Sequence, residues 1–198
     1  QTSFSNENEK KNMLAQMYGL RAYIYYTMLK SWGDVPIVTE PLQNVDNLAA
    51  LRKARAPKAE VLAFIKQDIQ RSLDLFNGNE NFYRDNVYWS KRATLILKGD
   101  VFLWSGKVLG GGTADFTEAK NALSQVSGSL VSYDKLWGID NEKNAEFIFA
   151  LDYKKDEAEH FYKVTTARNT DVKDKFDDSG RKISSFLYVE GGNYHSPS

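Results

Sequence analysis

The pattern of apolar residues predicts four helices, and the first of them is apolar on two sides. Between residues 7 and 32, apolar side chains recur at steps of three and four, the spacing of one helical face. The opposite side carries Leu20 and Ile24, so we expect this helix to be buried on both sides. The repeat ends at Gly33, and Pro36 cannot continue a helix. The residues of the first face are Leu14, Met17, Tyr18, Ala22, Tyr25, Met28, Leu29 and Trp32.

Two more helices follow, each with identifiable ends. The second is expected over residues 57–76, because Pro57 suits the first position of a helix and apolar residues then repeat on one face. Gly78 follows this repeat and supplies the stop. The third is expected from Ser90, whose hydroxyl can cap a helix N-terminus, to residue 109.

The fourth helix is expected over residues 115–127, with Asp115 as its N-cap and Glu118 three residues later in a capping-box pattern. Helices three and four resemble a tetratricopeptide unit, and Gly99 and Ala119 are the small residues that such a pair requires. The first two helices are expected to form a second, looser pair. The predicted fold class is therefore mainly α, with tetratricopeptide-like helix pairs and a loop-rich, irregular tail.

The rest of the chain is less regular. Residues 133–137 are expected to form a turn with buried aromatic rings, and residues 146–151 a short strand or extended run. Beyond residue 151 the sequence is polar and weakly periodic, and a compact domain rarely keeps so long a stretch without secondary structure. We therefore expect a helical region over 1–151 and a loop-rich segment over 152–198 that belongs to a larger domain.

The composition narrows the possible functions. The formal net charge is zero and no run of five or six like charges occurs, so nothing indicates nucleic-acid binding. The chain has no cysteine, which excludes disulfides and a cysteine nucleophile within it. It has 11 tyrosines, 11 phenylalanines and 4 tryptophans, most of which we assign to packing. Trp32 and Trp104 lie on apolar helix faces and Trp137 precedes the predicted strand, so all three are expected in the core.

One segment resembles a known protein family. The SusD/RagB nutrient-binding lipoproteins of the Gram-negative outer membrane share the pattern Arg-Ala-x-x-Tyr-(Tyr/Phe)-x-Leu followed by Gly-Asp-Val-Pro-(Leu/Ile)-Val-Thr-Glu. Weaker matches continue through residues 97–104 and 141–149, so the resemblance covers residues 7–151. The residues that match the two patterns are Arg21, Ala22, Tyr25, Tyr26, Gly33, Asp34, Val35, Pro36, Ile37, Val38, Thr39 and Glu40.

The resemblance implies a role in nutrient uptake without chemistry. It implies a surface-exposed, lipid-anchored outer-membrane protein that binds an oligosaccharide or polysaccharide and passes it to a TonB-dependent transporter of the SusC type. Members of the family are much longer than 198 residues and carry an upstream lipidated cysteine, so we expect an N-terminal-proximal piece of such a protein. No cofactor, no nucleic-acid partner and no enzymatic activity are expected.

The candidate ligand-binding residues are chosen for exposure, because the family's ligand contacts come from loops that differ between members. Sugars lay their C–H faces on aromatic rings and direct hydroxyls at polar side chains. Tyr83, Tyr88 and Trp89 lie in the loop between helices two and three, which frees them from helix packing. The predicted ligand-binding residues are Trp89, Tyr153, Tyr162, Arg168, Asn169, Tyr188, Asn193 and Tyr194.

Several alternatives stay open. The cargo could be a peptide, as for the RagB branch, or the chain could be a tetratricopeptide-type adaptor that binds proteins on a concave helical face. A glycosidase would need two carboxylates whose separation the sequence does not give. Arg21 is assigned to a buried ion pair rather than to catalysis. The aspartates between residues 171 and 178 lack the glycine turn and terminal glutamate of a calcium-binding EF-hand loop, so we predict a solvated loop and no metal.

Overall fold

The computed structural model describes residue 4, residues 6–41, 52–79, residue 81, residues 83–153, residue 157 and residues 173–183. Within them, the secondary structure is helical: α1 is Glu7–Trp32, α2 is Lys58–Phe76, α3 is Lys91–Val108 and α4 is Gly112–Leu123. Two short 3-10 helices follow, Tyr133–Lys135 and Ile139–Asn141. The described residues contain no β-strand and two isolated β-bridges. The mainly α prediction is confirmed.

The ends of the first three helices lie where their caps predicted. Ser90 is the N-cap of α3, and its hydroxyl accepts a hydrogen bond from the amide of Ala93 at 3.2 Å. Pro57 directly precedes α2, which begins one residue later than predicted. The predicted start of α4 at Asp115 is wrong, because the helix begins at Gly112 and the Asp115 carboxylate contacts Lys66 and Ser105 instead of capping.

The helices pack as two antiparallel pairs, α1 with α2 and α3 with α4, and α2 joins the pairs by contacting α3. The approach of α3 to α4 is close because Gly99 has no side chain: a Cβ there would lie 2.5 Å from the side chain of Leu123. Burying a branched aliphatic side chain contributes about 1.5–3 kcal/mol. The largest fully buried apolar side chains are Tyr26, Ile65, Ile69, Val61 and Val101.

The expectation that α1 is buried on both sides is wrong for the described residues. Met17 is 56% exposed, Ile24 is 55% exposed and Trp32 is 64% exposed. The buried face is instead the one that holds small residues, Ala15, Gly19 and Ala22, together with Tyr25, Tyr26 and Leu29. Small side chains let the neighbouring elements approach, so α1 packs through them and Trp32, at its last turn, is left outside. Trp104 is partly buried against the core, with its ring edge-on to Tyr26 at 5.8 Å.

Residues 33–35 connect α1 to the start of α2. Gly33 ends α1 in a backbone conformation with φ of 68°, which favours glycine. The Asp34 carboxylate then accepts a 2.7 Å hydrogen bond from the amide of Lys58, the first residue of α2. The carbonyl of Val35 accepts another from the amide of Ala56 at 3.0 Å. The end of one helix therefore caps the beginning of the next.

Arg21 forms the buried ion pair that the sequence predicted. Its guanidinium donates to both carboxylate oxygens of Asp68 at 2.6 and 2.9 Å, and Asp68 is fully buried on α2. Arg71 lies 3.7 Å from the same carboxylate. A buried carboxylate is stable only with such partners, so this pair is part of the α1–α2 contact rather than a catalytic group.

The structure tests two predictions for the segment after α4. Tyr133 and Trp137 are 79% and 62% exposed, so the expected burial of these rings is wrong. Of the two alternatives predicted for residues 146–151, a short strand or an extended run, the strand is absent, and the carbonyl of Phe147 and the amide of Ala150 bond to Asn86 in the loop between α2 and α3. None of the described helices has the length and hydropathy needed to cross a membrane.

The chain divides into two compact units, Gln1–Leu151 and Asp152–Ser198. In the second unit, Asp177 holds a tight turn: its carboxylate accepts from the amides of Ser179 and Arg181 and from the Arg181 guanidinium at 2.8–3.0 Å. The Arg181 amide above all, with these other donors, lowers the pKa of Asp177. The membership of this unit in a larger domain stays a prediction.

Candidate functional site

The loop between α2 and α3 carries a group of aromatic and charged side chains that contact one another. It begins at Asn77, whose φ of 44° turns the chain out of α2, and it ends at Ser90. Between them, Tyr83 and Tyr88 pack edge-to-face with ring centroids 5.4 Å apart. The guanidinium of Arg84 lies 5.3 Å from the first ring and 5.8 Å from the second. We call these three residues the tyrosine–arginine cluster.

The cluster is positively charged at its exposed side. Arg84 is exposed, whereas the two tyrosine rings are half-buried. The phenol groups of Tyr88 and then Tyr83 raise the pKa of Arg84, so its guanidinium stays charged. A cation against aromatic faces gains about 0.5–1 kcal/mol at exposed sites, which favours this arrangement of the three side chains.

Two contacts fix the cluster to the rest of the helical unit. The Tyr83 hydroxyl donates to a carboxylate oxygen of Glu9 on α1 at 3.3 Å. On the other side, Asp85 accepts from the amide of Val87 at 3.0 Å and lies 3.8 Å from the ammonium of Lys143. One carboxylate therefore contacts the cluster at Tyr83, and a second belongs to Asp85, the residue after Arg84.

The base of the loop is held by Asn86, which is 3% exposed. Its side-chain amide donates to the carbonyl of Phe147 at 3.1 Å, and its backbone carbonyl accepts from the amide of Ala150 at 2.9 Å. These bonds attach the extended segment 147–150 to the loop. The loop that carries the tyrosine–arginine cluster is therefore held in place by hydrogen bonds at Asn86.

The exposure predicted for Trp89 is wrong. Trp89 is 4% exposed, and its ring packs edge-on against Phe149 at 5.0 Å and beside the backbone of Gly19. Its indole N–H donates to the hydroxyl of Thr94 at 2.7 Å, and the same hydroxyl lies 2.9 Å from that of Ser72. A tryptophan that buries both its ring and its polar group is part of the core.

The other predicted site residues are not brought together by the described structure. Tyr153 is 60% exposed and belongs to the second unit. The remaining six lie outside the described residues: Tyr162, Arg168, Asn169, Tyr188, Asn193 and Tyr194. Their role in ligand binding stays a prediction.

The sequence signal for Tyr83 and Tyr88 was their place in the loop, but loop position alone does not separate them from Trp89. What separates them is burial, since Trp89 is 4% exposed whereas Tyr83 and Tyr88 are half-buried. Three other exposed rings, Trp32, Tyr133 and Trp137, have no side-chain cation paired with them among the described residues. The described residues also contain no group of three or more histidine, cysteine or acidic side chains placed to hold a metal ion.

The chain is similar to proteins of one family. Residues 2–95 match the SusD-like family, described as starch-binding and associating with the outer membrane. A curated relative, the SusD-like protein P25 of Formosa agariphila, is 25% identical over 152 residues, which cover 76% of this chain and 27% of the relative.

Solved structures agree with this family. A SusD superfamily protein of Bacteroides vulgatus superimposes with a TM-score of 0.72 at 33% identity, covering 92% of this chain and 38% of the other. NanU of Bacteroides fragilis gives a TM-score of 0.72 at 33% identity, covering 94% of this chain and 38% of NanU. The chain thus spans well under half the length of these relatives.

Proposed function

Because this chain is similar to SusD-like proteins in sequence and in fold, we propose that it captures oligosaccharides at the bacterial outer membrane and passes them to a TonB-dependent transporter. In this proposal the protein is lipid-anchored and surface-exposed, and it binds its cargo without breaking a bond. The family description, starch-binding and associating with the outer membrane, supports a carbohydrate as the cargo.

The observation that carries the proposal is the tyrosine–arginine cluster. Half-buried rings offer apolar faces to the C–H face of a sugar, while the guanidinium of Arg84 donates to its hydroxyls. The carboxylates of Glu9 and Asp85 can accept hydrogen bonds from the same hydroxyls. Aromatic faces bordered by both donors and acceptors match the chemistry of a pyranose ring.

Such a site is expected to bind a single sugar weakly and a longer chain more tightly. A shallow surface offers few contacts to one sugar, so affinity increases when several units of a chain are engaged. We expect dissociation constants between about 1 μM and 1 mM, equivalent to about 4–8 kcal/mol of binding free energy. Weak binding also suits a capture protein, because the cargo must leave for the transporter.

A second role, as a tetratricopeptide-type adaptor, is favoured by one observation, the exposed apolar side of α1 around Met17, Ile24 and Trp32. An adaptor would bind a protein partner through helices and would have no affinity for sugars. A peptide cargo, in contrast, would use the loop cluster and would leave the capture role unchanged.

Calorimetry of the protein against panels of oligosaccharides and peptides tests the proposal, with chromatography of the mixture to detect products. We expect heat of binding from at least one oligosaccharide series and no new reducing ends. Binding of peptides with no response to sugars would show that the cargo is a peptide rather than an oligosaccharide. Reducing ends released by protein free of contaminating hydrolase would show an enzyme, and no response to either panel would favour the adaptor.

A further inference from the structure

A groove lined by asparagines lies beside the loop that carries the tyrosine–arginine cluster. It has a volume of about 320 Å³ and is formed by the first turns of α1, the last turn of α2 and the beginning of the loop. We call it the asparagine groove. Its lining residues are Asn8, Lys11, Asn12, Leu75, Phe76, Asn77 and Asn79.

The groove presents amide groups that the protein leaves available. The side chains of Asn8 and Asn77 make no hydrogen bond with any other residue that the structure describes. Asn12 and Asn79 use their carbonyl oxygens, which accept from the Gln16 side chain at 2.6 Å and the Asn81 amide at 3.1 Å. The NH₂ groups of these two asparagines are therefore free to donate to a ligand.

The same elements hold the groove and the cluster. Glu9, which accepts from the Tyr83 hydroxyl, directly follows Asn8 in α1 and is three residues from Asn12, which is a neighbouring position on a helix surface. Asn79 lies in the loop four residues before Tyr83. The groove and the cluster therefore share the first turns of α1 and the loop between α2 and α3.

We propose that the asparagine groove binds a second unit of the same oligosaccharide, so that the groove sets a preference for chains over single sugars. This inference rests on the proposed capture function. Asparagine amides both donate and accept, which suits hydroxyl groups that do the same, and Lys11 is the one charged residue lining the groove. The groove volume is at the lower end of ligand sites, about 300–1,000 Å³, which suits a short piece of a chain rather than a folded partner.

One common mode of peptide binding has no template at this groove. Extended peptides are commonly held by adding a strand to the edge of a sheet. The described residues provide no β-strand at the groove or elsewhere, so this mode has no template in them. Separate amides around a small apolar floor of Leu75 and Phe76 instead match a ring with polar edges and an apolar face.

A double variant, Asn8→Ala with Asn77→Gly, removes two amides while keeping the backbone. Alanine is a good helix former at residue 8. Glycine at residue 77 tolerates the positive φ that ends α2. The matched control is Asn121→Ala, an exposed asparagine on α4, which does not line the groove. Equal melting temperatures of both variants and the unaltered protein verify the fold.

Calorimetry with the monosaccharide, disaccharide and hexasaccharide of an α-glucan, a β-glucan and a β-galactan measures the effect. In the series that binds, we expect the double variant to lose about tenfold or more in affinity for the hexasaccharide and little for the monosaccharide, since two hydrogen bonds are removed. The control variant keeps the affinities of the unaltered protein.

Two results would overturn the inference in distinguishable ways. Hexasaccharide binding that is equal in the double variant and the unaltered protein would remove the groove from the site and leave the capture function standing. No binding of any series to the unaltered protein would contradict the capture function itself. Loss of peptide binding alone in the double variant would assign the groove to peptides and overturn the sugar assignment.

Discussion

At the scale of single residues, the motif after α1 is explained by the contacts of its members. Gly33 ends one helix, Asp34 caps the next, and Val35 pairs with Ala56. Tyr25 extends the same connection, because its hydroxyl accepts from the amide of Val38 at 2.8 Å. The Gly-Asp-Val-Pro pattern is therefore a structural connection between α1 and α2.

The cap predicts the effect of one substitution. Asp34→Ala leaves the amide of Lys58 without its acceptor and is expected to lower the free energy of unfolding by about 1 kcal/mol. Asp34→Asn keeps a carbonyl oxygen in place and is expected to lose only a fraction of this. Chemical denaturation of the two variants measures the difference, and equal losses would argue that the charge rather than the hydrogen bond matters.

Single residues also show where sequence reasoning stops. The pairing of Arg21 was predictable, because a charged group on an apolar helix edge needs a carboxylate. Trp32 was predicted to be buried and is exposed, whereas Trp89 was predicted to be exposed and is buried. The positions of both rings depend on which face of α1 packs against the rest of the helical unit. Because α1 carries apolar residues on both faces, the hydrophobic pattern did not indicate which face this is. The small residues Ala15 and Gly19 decide it, since they permit close approach.

At the scale of elements, α1 packs against the base of the α2–α3 loop at Gly19. A Cβ on Gly19 would lie 2.1 Å from the indole nitrogen of Trp89, which is buried and hydrogen-bonded. The lengths of α1, α2 and α3 were predicted from the residues that cap their first turns and end their last turns. The start of α4 was not predicted, because Gly110 and Gly111 precede it, Gly112 is its first residue, and a polar partner of Asp115 comes from α2.

Two glycine substitutions test this packing. Gly19→Ala is expected to lower the free energy of unfolding by about 1–3 kcal/mol or more, since Trp89 cannot move without leaving Thr94. Gly99→Ala places a Cβ against Leu123, which is 40% exposed and can rotate outward. There, the gain of about 1 kcal/mol in helix propensity offsets much of the clash. Thermal unfolding compares the two, and a Gly19→Ala protein as stable as the unaltered one would contradict the close contact.

At the scale of the whole molecule, one polar cluster joins three of the four helices. Lys66 on α2 donates to both carboxylate oxygens of Asp115 on α4 at 3.0 Å, and the hydroxyl of Ser105 on α3 donates to one of them. Burial alone would raise the pKa of Asp115. The Ser105 hydroxyl and then the Lys66 ammonium outweigh it, so the pKa falls below its ordinary value of 3.8.

Because the pKa of Asp115 is lowered in the folded protein, its contribution to the free energy of unfolding changes with pH in a defined direction. A carboxyl whose pKa is lower in the folded state stabilises the fold above its unfolded pKa and loses that contribution as the pH falls through the folded pKa. The stability difference between the unaltered protein and Asp115→Asn should therefore be largest near neutral pH and shrink below about pH 4. Urea unfolding at a series of pH values measures it, with Asp134→Asn as the exposed control. A difference that grows on acidification would contradict the assignment.

The site was less predictable than the fold because its residues are selected by tertiary contacts. No periodicity marks Tyr83, Arg84 and Tyr88 as a group, and the loop that carries them is held by contacts distant in sequence, from Tyr83 to Glu9 and from Asn86 to Phe147. The Arg-Ala and Gly-Asp-Val-Pro patterns carried the resemblance to SusD-like proteins, and the structure shows that they encode contacts between α1 and α2. They carry no information on the ligand, which is why the choice of exposed rings failed at Trp89.

The most direct test of the account is binding of oligosaccharides to the protein with Tyr83→Ala and Tyr88→Ala combined. Tyr133→Ala, an exposed ring outside the cluster, is the matched control, and melting temperatures check that all variants fold. The account predicts that the double variant loses about tenfold or more in affinity by calorimetry, whereas the control binds normally and no product forms in any sample. A folded double variant that binds the same oligosaccharide with unchanged affinity would contradict it.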